Sequence, residues 1–456
     1  MVQAAEKGRA LMGGTGAMRD AGERYLPRFP AESPEGYRAR LMASWLFNGY
    51  RKTVRDMTGR VFEKPLEVEG EPERLMEWAQ NIDMAGRDLS TFARQVFEDG
   101  LDAGIAYIMA DAPPRQSGIT QAQARAQNLR PYLVHLQAED VLGWKAETIA
   151  NVMTLTQLRI MEKATEPDPD DEFGQIDVEQ VRVLDRMPTG VQTRIYRKVK
   201  DASDNDNWQL LSEPIMSDMR EITVVPFYAN RTGFFTGEPM LDDLADVNIA
   251  HWQSQSDQRH ILHFARVPVL FQSGVSEDTG PIVISAGMVS TATDPNADMK
   301  WVEHSGDAIE AGRQDLKDLE FQMEAHGLQL LATRPGGQSA TGEALDAAKE
   351  TSALAMTADQ LQDAMEMALQ WMLAYAGDEQ PVTVNVNKDF CVTMLMAQEL
   401  GVLLNAVNTG NLSRNTFIAE MARRGAIRGD IVAEEEEERI GTADPALTGE
   451  GMDLGT

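Results

Sequence analysis

Between Ala344 and Tyr375 the residues Ala344, Ala347, Thr351, Leu354, Ala358, Leu361, Met365, Ala368, Met372 and Tyr375 recur at alternating three- and four-residue intervals. That spacing places a continuous small and apolar stripe along one side of a single long helix, and such a stripe has to be covered. The cover is either the rest of the same chain or a neighbouring copy in a ring, and the many alanines suit close helix approach in both cases. Ile309, Gly312, Leu316, Leu319, Met323, His326 and Leu330 repeat the pattern, which predicts a second helix over about 307–331. "GEPMLDDLADVNIAHWQSQSDQRHILHFA" predicts a third, running to Ala265 before Pro268 stops it.

Other parts of the chain obey different rules. Residues 1–35 are rich in Gly, Ala and charge and read as a loosely held, flexible arm. From Tyr37 to about Tyr107 the spacing is helical. Then "RPYLVHL", "EDVLGWKAE", "NVMTLTQLRIME", "VEQVRVLDR", "VQTRIYRKVK", "NWQLLS" and "REITVVPFYA" are short β-rich runs divided by turn residues, with "ATEPDPDDEFGQ" and "DASDNDN" as two of the connections. Residues 131–230 are therefore expected to form a mostly antiparallel β-rich insert between helical regions. Residues 267–305 carry strand-like pieces and turns and read as a small subdomain. Helical segments resume within 381–440, and 441–456 reads as a flexible tail.

Charge narrows the function classes. Among 456 residues, 42 basic and 72 acidic side chains leave a formal net charge of -30. A broad basic grip on nucleic acid is excluded, because phosphates are neutralised by Lys and Arg. A protein that encloses a duplex without holding it remains allowed, since repulsion from the wall keeps it mobile. The single cysteine, Cys391, excludes an internal disulfide and any Cys-rich metal site and fits a reducing cytoplasm. Its place in the apolar run "FCVTMLM" reads as a small buried hydrophobe. The N-terminus lacks a signal-peptide core, and no apolar run approaches the roughly 20 residues that span a bilayer. The expectation is a soluble chain that is not secreted by the usual route.

"RPGGQSATGEA" (334–344) contains G-x-x-x-x-G from Gly337 to Gly342. A phosphate-binding loop needs Lys and a hydroxyl next, and Glu343 and Ala344 stand there instead. No strand leads into it. The stretch reads as a loop between two long helices, with Thr341 as N-cap and Glu343 suiting the positive end of the helix dipole. His251, His260 and His263 are the one conceivable metal cluster, but no Glu completes a metalloprotease arrangement, so they read as satisfied or solvent-facing. No nucleophile signature is present; no catalytic residue, cofactor or metal is expected. Over 307–331, six acids (Asp307, Glu310, Asp315, Asp318, Glu320, Glu324) oppose two bases, Arg313 and Lys317. They read either as a solvated face or as an acidic channel lining in an oligomer.

The stretches "YLPRFPAESPEGYRARLMASWLFNGYRKTVRDMTGRVFEKP", "RPYLVHLQAEDVLGW" and "LDDLADVNIAHWQSQSDQRHILHFARVPVLFQSG", in this order of parts, resemble the portal proteins of tailed bacteriophages over about residues 25–440. The resemblance implies an α+β portal-type fold. Its parts would be a wing over 36–237, helical at first and then including the β-rich insert 131–230, and a two-helix stem (238–266 and 306–331). A small α/β clip (267–305) would join the stem helices. A tunnel loop (332–341), a long wing helix (342–380) and a crown-like region (381–440) would follow. It implies a non-enzymatic homo-oligomeric ring, usually of twelve subunits, at one capsid vertex of the virion, assembled in the host cytoplasm. Double-stranded DNA would pass through it without sequence specificity during packaging and ejection. Terminase large subunit, a head-tail adaptor, and major capsid and scaffold proteins would be its partners. Arg334, Gln338, Ser339 and Thr341 would face DNA from the tunnel loop, and Glu310, Asp315, Asp318 and Glu324 would line the stem. The competing readings are a non-portal virion or scaffold-binding protein and a nucleotide- or metal-dependent enzyme.

Overall fold

In the computed structural model the described residues are 2–69, 73–113, 120, 123, 126–168, 171–200, 206–265, 269–273, 298–302, 306–328, 340–378, 380–388, 397–423 and 427. They combine helix and antiparallel sheet, an α+β arrangement. Helices α1 (Val2–Ala21), α2 (Pro34–Ala43), α3 (Gly49–Val61), α4 (Glu73–Ala79) and α5 (Leu89–Ala103) come first. Their starts follow capping chemistry. Ser33 accepts from Gly36 N at 3.0 Å with Pro34 behind it, Asn48 accepts from Arg51 N at 2.8 Å, and Asp88 accepts from Thr91 N at 2.7 Å.

The helical spacing expected to reach Tyr107 ends at Ala103. Gly104, at φ +80°, caps α5, and Ile105–Asp111 is a strand, the second in the chain (β2), after Glu67–Glu69 (β1). Six consecutive residues of β2, Ile105 to Ala110, are buried. A run buried on both faces has no period to distinguish strand from helix, which is why spacing alone extends the helix too far. β2 lies between β3 (Tyr132–Leu136) and β10 (Val224–Tyr228). The two ends of the expected insert thus belong to the central sheet.

What remains of the insert is a six-stranded antiparallel sheet. Its order is β4 (Val141–Ile149), β5 (Val152–Pro167), β6 (Gln175–Met187), β7 (Gly190–Lys200) and β8 (Asp206–Leu210), with β9 (Ile215–Ser217) also on β7. The acidic stretch from Ala164 is not a simple connection. Ala164–Pro167 pair with Gln175–Val178, so the hairpin turns at 168–174. A second buried apolar cluster joins the two sheets, with Ile105, Tyr107 and Met109 against Leu155, Leu158, Ile160 and Leu184.

Two further short strand pairs, β11 (Arg231–Gly233) with β12 (Thr236–Gly237) and β13 (Val269–Ser273) with β14 (Asp298–Val302), flank α6 (Asp242–Ala265). Beyond them lie α7 (Asp307–Leu328), α8 (Ala340–Tyr375), β15 (Thr383–Asn385), α9 (Ala397–Asn408) and α10 (Arg414–Arg423). The three long helices stand where the spacing puts them. The region after 381 is not wholly helical, because β15 pairs with β1 across most of the chain length.

The covering of the long stripe is intramolecular over its described part. Leu354, Ala358, Leu361, Met365, Ala368 and Met372 are buried in one cluster with Val96, Phe97, Val225 and Phe227 from α5 and β10. The stripe's first residues, Ala344, Ala347 and Thr351, lie outside the described side chains.

The first 35 residues are not a loose arm. Ala5, Leu11 and Met18 of α1 are buried, and Leu11 and Met18 belong to the main cluster. Charge fixes the helix as well. Arg9 pairs with buried Asp99 and, at 2.9 Å, with Asp102, and it pairs with Glu139 at 2.7 Å, while Tyr50 donates to Asp102 at 2.8 Å. Lys7 holds Asp242 at 2.8 Å. Burial pushes the Asp102 carboxyl up to about 6, although Arg9 and Tyr50 pull it down. A Gly- and Ala-rich composition reads as loose, yet small residues also let a helix sit against buried carboxylates.

Candidate functional site

α6 and α7 run antiparallel, with His251 beside Glu320, Ser254 bonded to Asp315 and Gln258 to Ile309 O. α6 opens with Asp242 and Asp243, which suit its positive end. Its side chains enter the main cluster no further than Trp252, and on α7 the cluster is rejoined at Met323. The 13 residues of α6 after Trp252 extend about 20 Å at about 1.5 Å per residue. Along this length polar and aromatic contacts replace the apolar core. Gln253 donates to Tyr25 O at 3.0 Å, Arg40 reaches Ser256 and Asp257, and Phe29 lies against His260, while β13 and β14 pair with each other beyond the helices.

The seam between the helices and the body is polar. Asn248, His251, Gln255 and Gln258 are buried and spaced three, four and three residues apart. Asn248 accepts from Tyr50 N at 2.9 Å and donates to Phe47 O at 2.8 Å. Gln255, with its amide turned to match, accepts from the Trp45 indole N–H and donates to Trp45 O. Gln258 donates to Ile309 O at 2.8 Å, and a Cβ on Gly312 would stand 2.1 Å from its Oε1. Gly312 in the α7 stripe is therefore a close-approach position. His251 lies against Phe47 with ring centroids 5.3 Å apart and planes tilted by 41°, and its Nε2 lies 3.5 Å from Glu320. Burial lowers the His251 pKa more than Glu320 raises it, so the ring is neutral. This seam escapes a search for apolar periodicity, because amides occupy the repeat; the 3-4-3 spacing was the available signal.

The acids expected on one lining are divided between flanks. At about 100° per residue, Glu310 and Glu324 fall on one flank of α7, and Asp315 and Asp318 on the other. Glu310 pairs with Arg313 at 2.8 Å, Asp315 accepts from Ser254 of α6, and Asp318 accepts from Gln314 at 2.8 Å. Glu324 is exposed. Between the flanks Phe321 is 71% exposed. Arg334, Gln338 and Ser339 lie outside the described residues; Thr341 is the second residue of α8, not its N-cap, and its side chain is not described. Cys391 also lies outside them.

His251, His260 and His263 do not converge on a metal. Among the described residues no group of three or more His, Cys, Asp or Glu is placed to hold one. A cleft of about 500 Å³ between the two sheets is lined by Met109, Val134, Leu136 and Met161. Its guanidinium, Arg182, is already engaged by Asp111 at 2.6 Å and Glu162 at 2.7 Å. Among the described residues no helix is long and apolar enough to cross a membrane.

A protein-family profile described as a domain of unknown function, DUF4055, matches residues 239–376, the span from α6 through α8. No curated protein matches the chain. Among solved structures, the chain is similar to one from the neck of a native GTA particle computed with C12 symmetry. The identity is 12%, with 87% of this chain and 96% of that chain covered, and the TM-score is 0.42. It is also similar to a chain from the virion of a native gene transfer agent (GTA) particle, at 11% identity, 86% and 89% coverage and a TM-score of 0.38. Likeness at this level decides neither the fold nor the role of this chain.

Proposed function

We propose that the chain is the subunit of a portal-type ring, a virion component whose copies surround an axis and leave a channel for double-stranded DNA. The observation that carries the reading is the α6/α7 rod. Its far half runs past the apolar core, and its two helices are joined by Gln258 to Ile309 O and Ser254 to Asp315. An antiparallel strand pair follows it, and acids of α7 are exposed on it. The portal resemblance in the sequence supports it independently. The rod would serve as stem, the 267–305 region as clip towards terminase and adaptor, and 332–341 as the loop nearest DNA.

The physical logic is release rather than grip. Each basic contact to phosphate expels counterions and tightens binding, so a conduit needs few of them. The one cation of the loop, Arg334, is then a weak, sequence-blind contact. Negative-stain imaging of the purified protein tests the reading: rings with a central hole are expected, and a monomer under every assembly condition overturns it. Within that reading, Arg334→Ala should leave rings intact and change the length of packaged DNA; unchanged packaging and infectivity remove Arg334 from the channel.

A further inference from the structure

Trp45 and Phe47 are each 40% exposed, although aromatic rings of this size usually reach cover in a folded chain. They sit on a strap, residues 44–48, that crosses α6. Trp45 is tied to Gln255, Phe47 makes a tilted ring contact with His251, and the Arg259 guanidinium stands 5.7 Å above the Trp45 ring. Positions 251, 255 and 259 follow one line of α6, so the strap and its cation form a ridge about 12 Å long. Both rings are positioned by hydrogen bonds or ring contact and are only partly covered.

The helix pair is charge-asymmetric about this ridge. Glu320, beside His251, marks the strap's side of α7. Arg313 projects within about 20° of it and Lys317 within about 60°. With Arg259, these are all the Lys and Arg of α6 and α7. Glu310, Glu320 and Glu324 balance them, so that side is nearly neutral. Ser254 and Asp315, hydrogen-bonded to each other, mark the opposite side. Asp243, Ala250 and Ile261 fall within about 40° of Ser254, and Asp318 within about 60° of Asp315. On that side α6 and α7 themselves have acids and small or aliphatic residues and no Lys or Arg, and Asp243, Ala250, Asp315 and Asp318 are exposed. Lys7 and Arg40 pair with Asp246 and Asp257 at its edge towards the body.

We propose that the Trp45–Phe47 strap with Arg259 is a docking surface for a second copy of this chain, received by that copy's opposite α6/α7 face around Asp243, Ala250, Asp315 and Asp318. The proposal rests on the ring reading and gives it a contact. Aromatic rings supply buried area over Ala250, and Arg259 meets a face on which the exposed acids Asp243, Asp315 and Asp318 outnumber cations, the complementarity that orients association. Two different faces of one chain meet, so the contact is head-to-tail and repeats around an axis.

The test uses the full chain. Arg259→Glu and Trp45→Ser/Phe47→Ser should keep the wild-type far-UV circular dichroism and lose rings in mass photometry, each contact weakening by at least about tenfold. In a Cys391→Ser background, Trp45→Cys and Ala250→Cys proteins should form a disulfide-linked pair when mixed, and neither should do so alone. Rings that persist in both surface variants, or absence of the mixed cross-link from wild-type-like rings, overturn these faces and leave the ring reading standing. A wild-type chain that never assembles overturns both.

Discussion

Two residues show how a single side chain is constrained by what surrounds it. Gly104 holds φ +80°, and a Cβ there would stand 2.0 Å from Glu238 O, a backbone atom that cannot swing aside. Gly104→Ala should therefore cost about 3 kcal/mol or more in chemical unfolding, overpacking and left-handed strain combined; a loss near zero would mean that the α5–β2 junction relaxes freely. Asp102 has an ordinary value of 3.8, raised to about 6 by burial. Its folded pKa exceeds its unfolded one, so its contribution to stability is complete below about 4 and is lost as pH rises through about 6. The stability of wild type relative to Asp102→Asn should accordingly grow on going from pH 7.5 to pH 4.5, by at most about 3 kcal/mol. A difference that does not move with pH would show that Arg9 compensates the buried charge fully.

At the scale of elements, α8 is the principal internal support and α6/α7 the principal outward feature. Leu361 is fully buried against the sheet and α5. Leu361→Ala should destabilise by about 2–5 kcal/mol, a core-cavity cost measurable in denaturant unfolding. The exposed face of the same helix offers the control: Met356, 65% exposed, should tolerate Ala within about 0.5 kcal/mol. Equal losses at both positions would contradict the assignment of the stripe to the core. The helix was legible from spacing because its period matches 3.6 residues per turn over many turns. The cover over the stripe was not legible, since a buried apolar face looks the same whether its partner is a strand of the same chain or a second copy. The docking of α1 escapes spacing for a related reason: Arg9 ties it to buried Asp99 and Asp102, which lie 90 and 93 positions further along the chain.

For the whole molecule, charge is the governing quantity. Copies of net charge -30 repel, and that repulsion reaches about 30 Å at 0.01 M salt but only about 10 Å at 0.1 M. Ring formation is therefore expected to increase as salt is raised from 10 mM to 150 mM, followed by mass photometry at fixed protein concentration. Assembly that weakens over this range would mean that attraction between Arg259 and the acidic face outweighs the general repulsion. The division of acids between two flanks of α7 belongs to the same scale. Lining a channel calls for one shared face, whereas one nearly neutral flank and one acidic flank suit contact between neighbours, with Phe321 standing between them.

Sequence alone determined the periodic and the summed properties of this protein: three long helices, β-rich runs between them, a strongly negative chain, and a glycine-rich stretch unfit for nucleotide. These follow from residue identity and spacing, which act locally or add without reference to position in space. Tertiary structure decided which helix is core and which is surface. It made β2 a strand, drew β3 and β10 out of the insert, folded α1 onto Asp99 and Asp102, and brought Ser254 to Asp315 and His251 beside Glu320. Each of those outcomes is a matter of which distant group supplies the missing apolar cover, hydrogen bond or countercharge, and only the folded chain brings such groups within reach.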